Sequence, residues 1–498
     1  MFKKYKFIQF LFTSVLILVG LSLEVFADET PVDTILISTK SKSGANLKID
    51  SKRIQQAIDK ASSNRGVYIK LNESGVFELT EPLTFKDNVE FDGNGSVLVP
   101  SLNWTSFNED DSPVFNIINV ENIKISNLTF DFKGEQRTGK ERVYCGIFIL
   151  GSKLITIQNV TFKNGGIQAN NSNQIPNSPY VLIVSQDYAE DSNSVPSLFR
   201  SEIGASMNIL IDNCNFLNLD SKTRFGVRLL TNWSKKRDLS EFVNKTQSNI
   251  ISNCVFIGEF SWNTIELAGG GTIENLIYNN LVSGNAVNNI DIDKGASYNI
   301  IKDNTVNNAG LPEVYKNDPN ARYSAIIVQG WTGARYFSKN NLVEGNCIEN
   351  LSNPISNISK YAYSAAISGL AVSGLKIENN FISTAFQDSS YRNGKPYGGG
   401  IVLDHICNDV IISGNEIHNV NYGVVFTMNG KSFENIDVLN NVIYSKNISV
   451  FFPTRGNGPY KNLNIFSNKL FNTNNKNSKS IHIGNVKNSI IKGNFEIE

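Results

Sequence analysis

From Ile277 to Asn494 one short phrase keeps returning: an Ile or Val, two residues, an Asn, one residue, then in most copies an aliphatic. It reads Ile277-Y-N-Asn280-L-Val282, Ile301-K-D-Asn304-T-Val306, Val343-E-G-Asn346-C-Ile348, Ile377-E-N-Asn380-F-Ile382, Ile412-S-G-Asn415-E-Ile417, Val438-L-N-Asn441-V-Ile443 and Ile465-F-S-Asn468-K-Leu470, with an eighth copy at Ile491-K-G-Asn494. Where no insertion intervenes, the asparagines stand 24 (280 to 304), 26 (415 to 441), 27 (441 to 468) and 26 (468 to 494) residues apart. A unit of that length cannot bury its own apolar face. The copies must stack, and a stack with a fixed period is a solenoid.

Earlier copies run in a variant form: Ile123-K-Ile125-S-Asn127-L-T-Phe130, Ile155-T-Ile157-Q-Asn159-V-T-Phe162, Ile209-L-Ile211-D-Asn213-C-N-Phe216 and Ile251-S-Asn253-C-V-Phe256. Strands this short, with Asn and Gly between them, belong to a chain that turns every few residues. Asn tolerates the left-handed backbone such turns need, and stacked Asn amides can hydrogen-bond along the column. A ladder of that kind accounts for much of the total of 68 asparagines. Cys214 and Cys254 each follow the asparagine of their repeat. Adjacent strands ~4.8 Å apart would place them within disulfide reach, but five cysteines are too few for a disulfide scaffold. All five are expected to be thiols, mostly buried.

The first 27 residues stand apart from the repeats. Lys3, Lys4 and Lys6 precede an apolar stretch from Phe7 to about Phe26, and Val25-F-Ala27 has the form of a cleavage site. This is the pattern of a secretory signal peptide, with a mature chain from about Asp28; an uncleaved membrane anchor is the alternative. No other apolar run approaches the ~18 residues of a membrane span. The expected product is a secreted, extracellular protein, bacterial by composition. Lys plus Arg and Asp plus Glu are equal at 46 each, with no basic block, which argues against nucleic acid as partner.

Residues 28–50 read as a polar leader. Ser51-KRIQQAIDKASS then places Ile54, Ala57, Ile58 and Ala61 on one helical face, with Asp50 or Ser51 as N-cap, so a helix is expected over 51–64. Short alternating strands follow: Val67-Y-Ile69-K-Leu71, Val76-F-E-Leu79, Leu83-T-Phe85 and Val89-E-Phe91-D-G-N-Gly95. This opening resembles the start of right-handed parallel β-helix proteins of the pectate-lyase-like superfamily, in which an amphipathic helix caps the first coil. The resemblance covers about residues 45–498 and implies an all-β solenoid over 65–498, with loop insertions. It implies an extracellular polysaccharide as partner, handled by a hydrolase, lyase, epimerase, tailspike or adhesin. Fold alone does not choose among these.

Each coil carries a second strand with a small-then-aliphatic start, and the next residue should point outward. That outward column reads Phe148, Arg228, Glu266, Asp291, Ile327, Ser368, Val402, Val425, Phe451 and His482. One step along lie Ala268, Asp293, Gln329, Leu370, Asp404 and Thr427. Charge falls in consecutive coils, at Arg228, Glu266 and Asp291 with Asp293, and the rest of the first column is largely apolar. A covered face with a groove is expected. Its walls would be insertions around 163–206, 231–247, 309–324, 350–363 and 384–398, with Trp233, Tyr315, Tyr323, Tyr361, Tyr391 and Tyr397 as stacking aromatics and Trp262 and Trp331 beside the strands.

Carboxylates on adjacent coils would stand ~5 Å apart and diagonal ones ~7–8 Å, which brackets the separations of retaining and inverting glycosidases. Like charges that close push one acid up and leave an acid beside a base. The expected catalytic set is Glu266 as general acid, Asp291 or Asp293 as base or nucleophile, and Arg228 as clamp. Trp233, Trp262, Lys294, Gln329, Trp331, Asp404 and His405 are the candidate substrate-binding residues. A plain surface ion-pair ladder would use the same charges. Asn289-I-Asp291-I-Asp293 resembles the N-T-D segment of polygalacturonases only loosely; their G-H-G and R-I-K, and the D-P-H of mannuronan epimerases, are absent. If the reaction were elimination, Asp291, Asp293 and Asp404 could hold Ca²⁺ with Lys294 or Arg228 as base. No other cofactor is implied: there is no metal-spaced Cys/His cluster, phosphate-binding Gly loop or nucleophile-elbow serine. A non-catalytic adhesin or matrix protein is the rival reading, and the oligomeric state is left open.

Overall fold

The computed structural model describes residues 33–38, 50–62, 65–72, 74–104, 113–137, 143, 145–166, 179–185, 204–231, 242–312, 323–330, 337–351, 364–383, 399–427, 432–452, 460–472, 480–484 and 486–497. The expected signal peptide therefore lies outside the described residues. Among the described residues no helix is long and apolar enough to cross a membrane.

Every strand pairing in the repeat region is parallel and joins one coil to the next. Ile251 pairs with Ile277, Ile277 with Ile301, Ile301 with Val343 and Val343 with Ile377. The chain is a right-handed parallel β-helix whose coils present three strand faces. One carries the outward column, one the repeated first aliphatic, and one the repeated last aliphatic. Ile, Val, Leu and Phe alternate inward along each strand and fill the bore at or near zero exposure.

The repeated asparagine holds these coils together. Asn280 Nδ2 donates to Asn304 Oδ1 at 2.9 Å, and the chain continues through Asn346, Asn380, Asn415, Asn441 and Asn468 to Asn494 with spacings of 2.9–3.0 Å. Each backbone N–H in the ladder also donates to the next Oδ1, as from Asn380 to Asn415 at 3.0 Å. Each Nδ2 donates a second time to the first-aliphatic carbonyl of the preceding coil, as from Asn380 to Val343 at 3.0 Å. A buried amide satisfied on all sides is stabilising, and the same amide left unpaired would be costly.

The variant repeats differ in a way their sequence had not separated. Ser252 pairs with Tyr278, so Asn253 aligns with Asn279 and Cys254 with Asn280. Asn127, Asn159, Asn213 and Asn253 are turn residues with φ of +49 to +55°, outside the ladder. Leu128, Val160, Cys214 and Cys254 point inward where later coils carry asparagine. Space is conserved across this change. Phe130, Phe162, Phe216 and Phe256 stack in parallel at 4.5–5.2 Å, then Val282 takes the next place beside Asn280. All five cysteines are free. Cys254 Sγ donates to the Ser252 and Ile211 carbonyls at 3.0 and 3.7 Å, the position from which a ladder amide donates.

The helix Asp50–Ile58 covers the first coils with Ile54, Ala57 and Ile58 buried. Ser51 uses its hydroxyl to accept the Thr80 N–H at 2.8 Å, which docks the helix on the strand Val76–Leu79. Two segments read as irregular are strands. Asp33–Ile37, inside the leader, pairs with Val67–Leu71. Pro179–Val184, inside the first insertion, is buried at every position and belongs to the outward face. A strand covered on both sides shows no alternation, so its sequence carries no strand period.

Replacing Asn380 with Leu removes the side-chain acceptor of the Asn346 N–H and Nδ2, and takes one donation each from the Asn415 Oδ1 and the Val343 carbonyl. We expect a loss on the order of 3 kcal/mol by urea unfolding, against under about 1 kcal/mol for Asn435→Gly at an exposed left-handed turn. Equal effects would mean the ladder contributes no more than the turns.

Candidate functional site

From Phe148 onward, strand register places the outward column as the sequence reading had it, with one addition. Phe148 neighbours Leu182, then come Arg228, Glu266, Asp291, Ile327, Ser368, Val402, Val425, Phe451 and His482. The missing member was Leu182, on the hidden strand. The face divides into three zones. Phe148, Leu150, Leu182, Val184, Leu230 and Ala268 form one buried apolar cluster outside the bore. Ile327, Leu370, Val402, Tyr422, Val425 and Phe451 form another. The charges lie between them.

Arg228 Nε and Nη2 both approach Glu266 Oε2 at 2.5 Å, and the guanidinium lies 3.8 Å over the Phe225 ring. Glu266 neighbours Asp291, and Ala268 neighbours Asp293. Two asparagines that the sequence reading passed over tie the acids together. Asn263 Nδ2 donates to Glu266 Oε1 at 3.1 Å and to Asp291 Oδ2 at 2.9 Å, and Asn288 Nδ2 donates to Asp291 Oδ2 at 3.2 Å. Their signal was present as Asn263-T-I-Glu266 and Asn288-N-I-Asp291, an amide three residues before each acid. Gln329 Nε2 reaches Asp291 Oδ1 at 3.1 Å. Lys294 donates its N–H to Asp293 Oδ1 at 2.6 Å, and its Nζ stands 3.7 Å from Oδ2.

Access is uneven. Arg228, Glu266 and Asp291 are 7%, 2% and 1% exposed, whereas the Asp293 and Lys294 side chains are 17% and 30% exposed. The way in is at the Asp293 end. Burial pushes the Asp291 carboxyl well above the usual range, and the Asp293 and Glu266 charges add to it. Asp293 is pushed from an ordinary 3.8 up to about 6, by burial first and by Glu266, with Lys294 partly opposing. Two acids in one low-dielectric site can hold a proton between them at neutral pH, which is the state acid–base catalysis needs.

Oxygens of Glu266, Asp291 and Asp293 lie within 4.8 Å of one another, and among the described residues these three are the group that could hold a hard cation. The fit is poor. Arg228 already occupies Glu266, amide N–H groups take Asp291, and Lys294 stands against Asp293. Asp404 does not join them, since Gln329 and Leu370 fill the intervening coils of its column. Asp404 and His405 form a separate pair. Trp262 lies on the strand Val255–Ala268, 39% exposed. Trp233, Trp331, Tyr315, Tyr361, Tyr391 and Tyr397 lie outside the described residues. Tyr323 is no groove aromatic: it is fully buried and donates its hydroxyl to Asn289 Oδ1 at 3.0 Å.

The raised Asp293 group carries a sign that can be measured. With a folded pKa of about 6 against 3.8, ionisation favours the unfolded chain, so stability falls as pH rises from about 4 through 6. Asp293→Asn keeps an acceptor for the Lys294 N–H and removes the buried charge. It should gain on the order of 2 kcal/mol at pH 8 and nothing at pH 4 in urea unfolding. A loss at pH 8 would make Asp293 a structural partner of Lys294.

No protein-family model matches the chain, and no curated protein matches it in sequence. Likeness is found among solved structures. PfbA, a surface adhesin of Streptococcus pneumoniae, superimposes with TM-score 0.55 at 17% identity, over 87% of this chain and 93% of that one. The A-module of the Azotobacter vinelandii mannuronan C-5 epimerase AlgE6 gives 0.51 at 13% identity, over 90% and 95%. A mutant tailspike protein of E. coli bacteriophage HK620, in complex with a pentasaccharide, gives 0.51 at 13%, over 90% and 75%. At these identities what the chain shares with them is the fold, a parallel β-helix.

Proposed function

We propose that this chain is an exported protein that binds an extracellular polysaccharide and hydrolyses it with paired carboxylates. The observation that carries the reading is the convergence of Asp291 and Asp293 in a largely enclosed polar island, both with raised pKa and with Asp293 open to a ligand. The pair holds a proton between its members. The protonated carboxyl donates to the glycosidic oxygen as the bond to the anomeric carbon breaks, and the ionised carboxylate attacks that carbon or takes a proton from the attacking water.

Glu266 takes a different role from the acid first expected. Its Oε2 is clamped by Arg228 and its Oε1 accepts Asn263, so it serves to fix the island and to raise its neighbours. Two other readings have an observation each. Elimination from a uronate polymer would use Lys294 or Arg228 as base beside the carboxylates. Binding without chemistry is favoured by the burial of Arg228, Glu266 and Asp291.

A polysaccharide panel with the mature chain, with and without chelator, separates the three. We expect new reducing ends without ultraviolet absorbance, reduced by about 10²–10⁴-fold in Asp293→Asn and in Asp291→Asn. Absorbance from unsaturated products would assign a lyase. Binding with no product from any polymer would leave the adhesive reading.

A further inference from the structure

One corner of the bore changes chemistry just before the asparagine ladder begins. Leu128 and Val160 occupy it in two early coils, Cys214 and Cys254 in the next two, and Asn280 in the one after. Ile211 pairs with Ile251 and Asn215 with Val255, so the cysteines between them stand in register on adjacent coils. Both are buried. Their sulfurs use successive carbonyls of one corner. Cys254 Sγ donates to the Ile211 carbonyl at 3.7 Å, and Cys214 Sγ donates to the Asp212 carbonyl at 3.2 Å. Burial pushes the Cys254 thiol up, and the Cys214 thiol beside it adds to the shift. The other three cysteines are isolated. Cys347 lies between Thr305 and Phe381, Cys407 lies between Val372 and Phe433, and Cys145 belongs to the outer apolar cluster.

A thiol donates but accepts poorly. Cys254 therefore gives its N–H to Asn280 Oδ1 at 2.9 Å but offers Cys214 no amide oxygen in return. What it offers is a sulfur. Adjacent parallel strands ~4.8 Å apart fall inside the range of about 4.4–6.8 Å between Cα atoms that a disulfide spans. Cys214 immediately precedes the strand Asn215–Leu230, and Cys254 the strand Val255–Ala268. The coils that the two sulfurs could join are thus the coils of Arg228 and Glu266.

We propose that Cys214 and Cys254 are an oxidation site, joined as a disulfide when the chain folds outside a reducing compartment. Both Sγ–H bonds break and one Sγ–Sγ bond forms. Two protons and two electrons pass to a disulfide-bearing oxidant, which leaves as two thiols. The exchange precedes closure of the coils, because a buried thiol held protonated supplies little thiolate. The bridge continues in covalent form the connection that the ladder makes from Asn280 onward, and it fixes the register of the Arg228 coil on the Glu266 coil.

The test produces the chain twice, once in a reducing cytosol and once exported behind a heterologous signal peptide into an oxidising periplasm. Thiols are counted in denaturant, and linked peptides are identified by mass spectrometry without reduction. All five cysteines should titrate in the cytosolic chain, and the exported chain should lack two of them, with Cys214 and Cys254 in one linked peptide. Its urea midpoint should lie higher by roughly 0.5–1 M and fall back on reduction. Cys214→Ala and Cys254→Ala, two independent variants, should each show one midpoint with and without reductant. Five thiols in the exported chain, or a bridge that uses Cys145, Cys347 or Cys407, overturns the site. A bridge that leaves the midpoint unmoved overturns its role in fixing the coils. Neither count involves a polymer, so the result stands or falls apart from the polysaccharide reading.

Discussion

The asparagine ladder is the constraint on which the rest of this molecule depends. A parallel coil leaves a polar backbone at each corner, and a corner facing the bore cannot be hydrated. The amide of Asn280, and of each equivalent down to Asn468, supplies one acceptor and two donations to that corner. Because every side chain bonds to the next copy of itself, one coil's register fixes its neighbour's. The repeat tolerates insertions elsewhere, since the ladder needs only the corner and not a constant coil length.

That fixed register is what brings chemistry to the outward face. Residues far apart in sequence, Arg228, Glu266 and Asp291, become successive members of one column. The apolar clusters on either side lower the local dielectric, so the charges act on each other more strongly than exposed charges would. Such a site opposes stability. Like-charged carboxylates are held together by Asn263 and Asn288 and by the Arg228 clamp, while the ladder and the bore supply the cohesion that tolerates them. Stability spent at one place on a face is a recognised mark of function.

The fold is shared with an adhesin, an epimerase module and a tailspike, which differ in what they do. The scaffold sets spacing along the axis, and the outward residues decide the chemistry. In this chain the outward residues give one island of acids and, three coils away, one buried aspartate under a histidine.

Much of this was legible in the sequence. The period of the Ile277 to Asn494 phrase determined the solenoid, and the small-then-aliphatic strands determined the outward column almost entirely, because a side-chain period of two is strict once one inward residue is known. The buried strand Pro179–Val184 escaped because burial on both faces erases alternation. The asparagines of the variant repeats look the same as the ladder asparagines, and only pairing across coils separates Asn253 in its turn from Asn280 in the bore. The sequence by itself determined which charges share a face. Tertiary structure decided which of them touch, that Arg228 takes Glu266, that Asn263 and Asn288 bridge the acids, and that Asp293 alone of the three stays open, because contact and burial depend on distances between coils that no linear spacing contains.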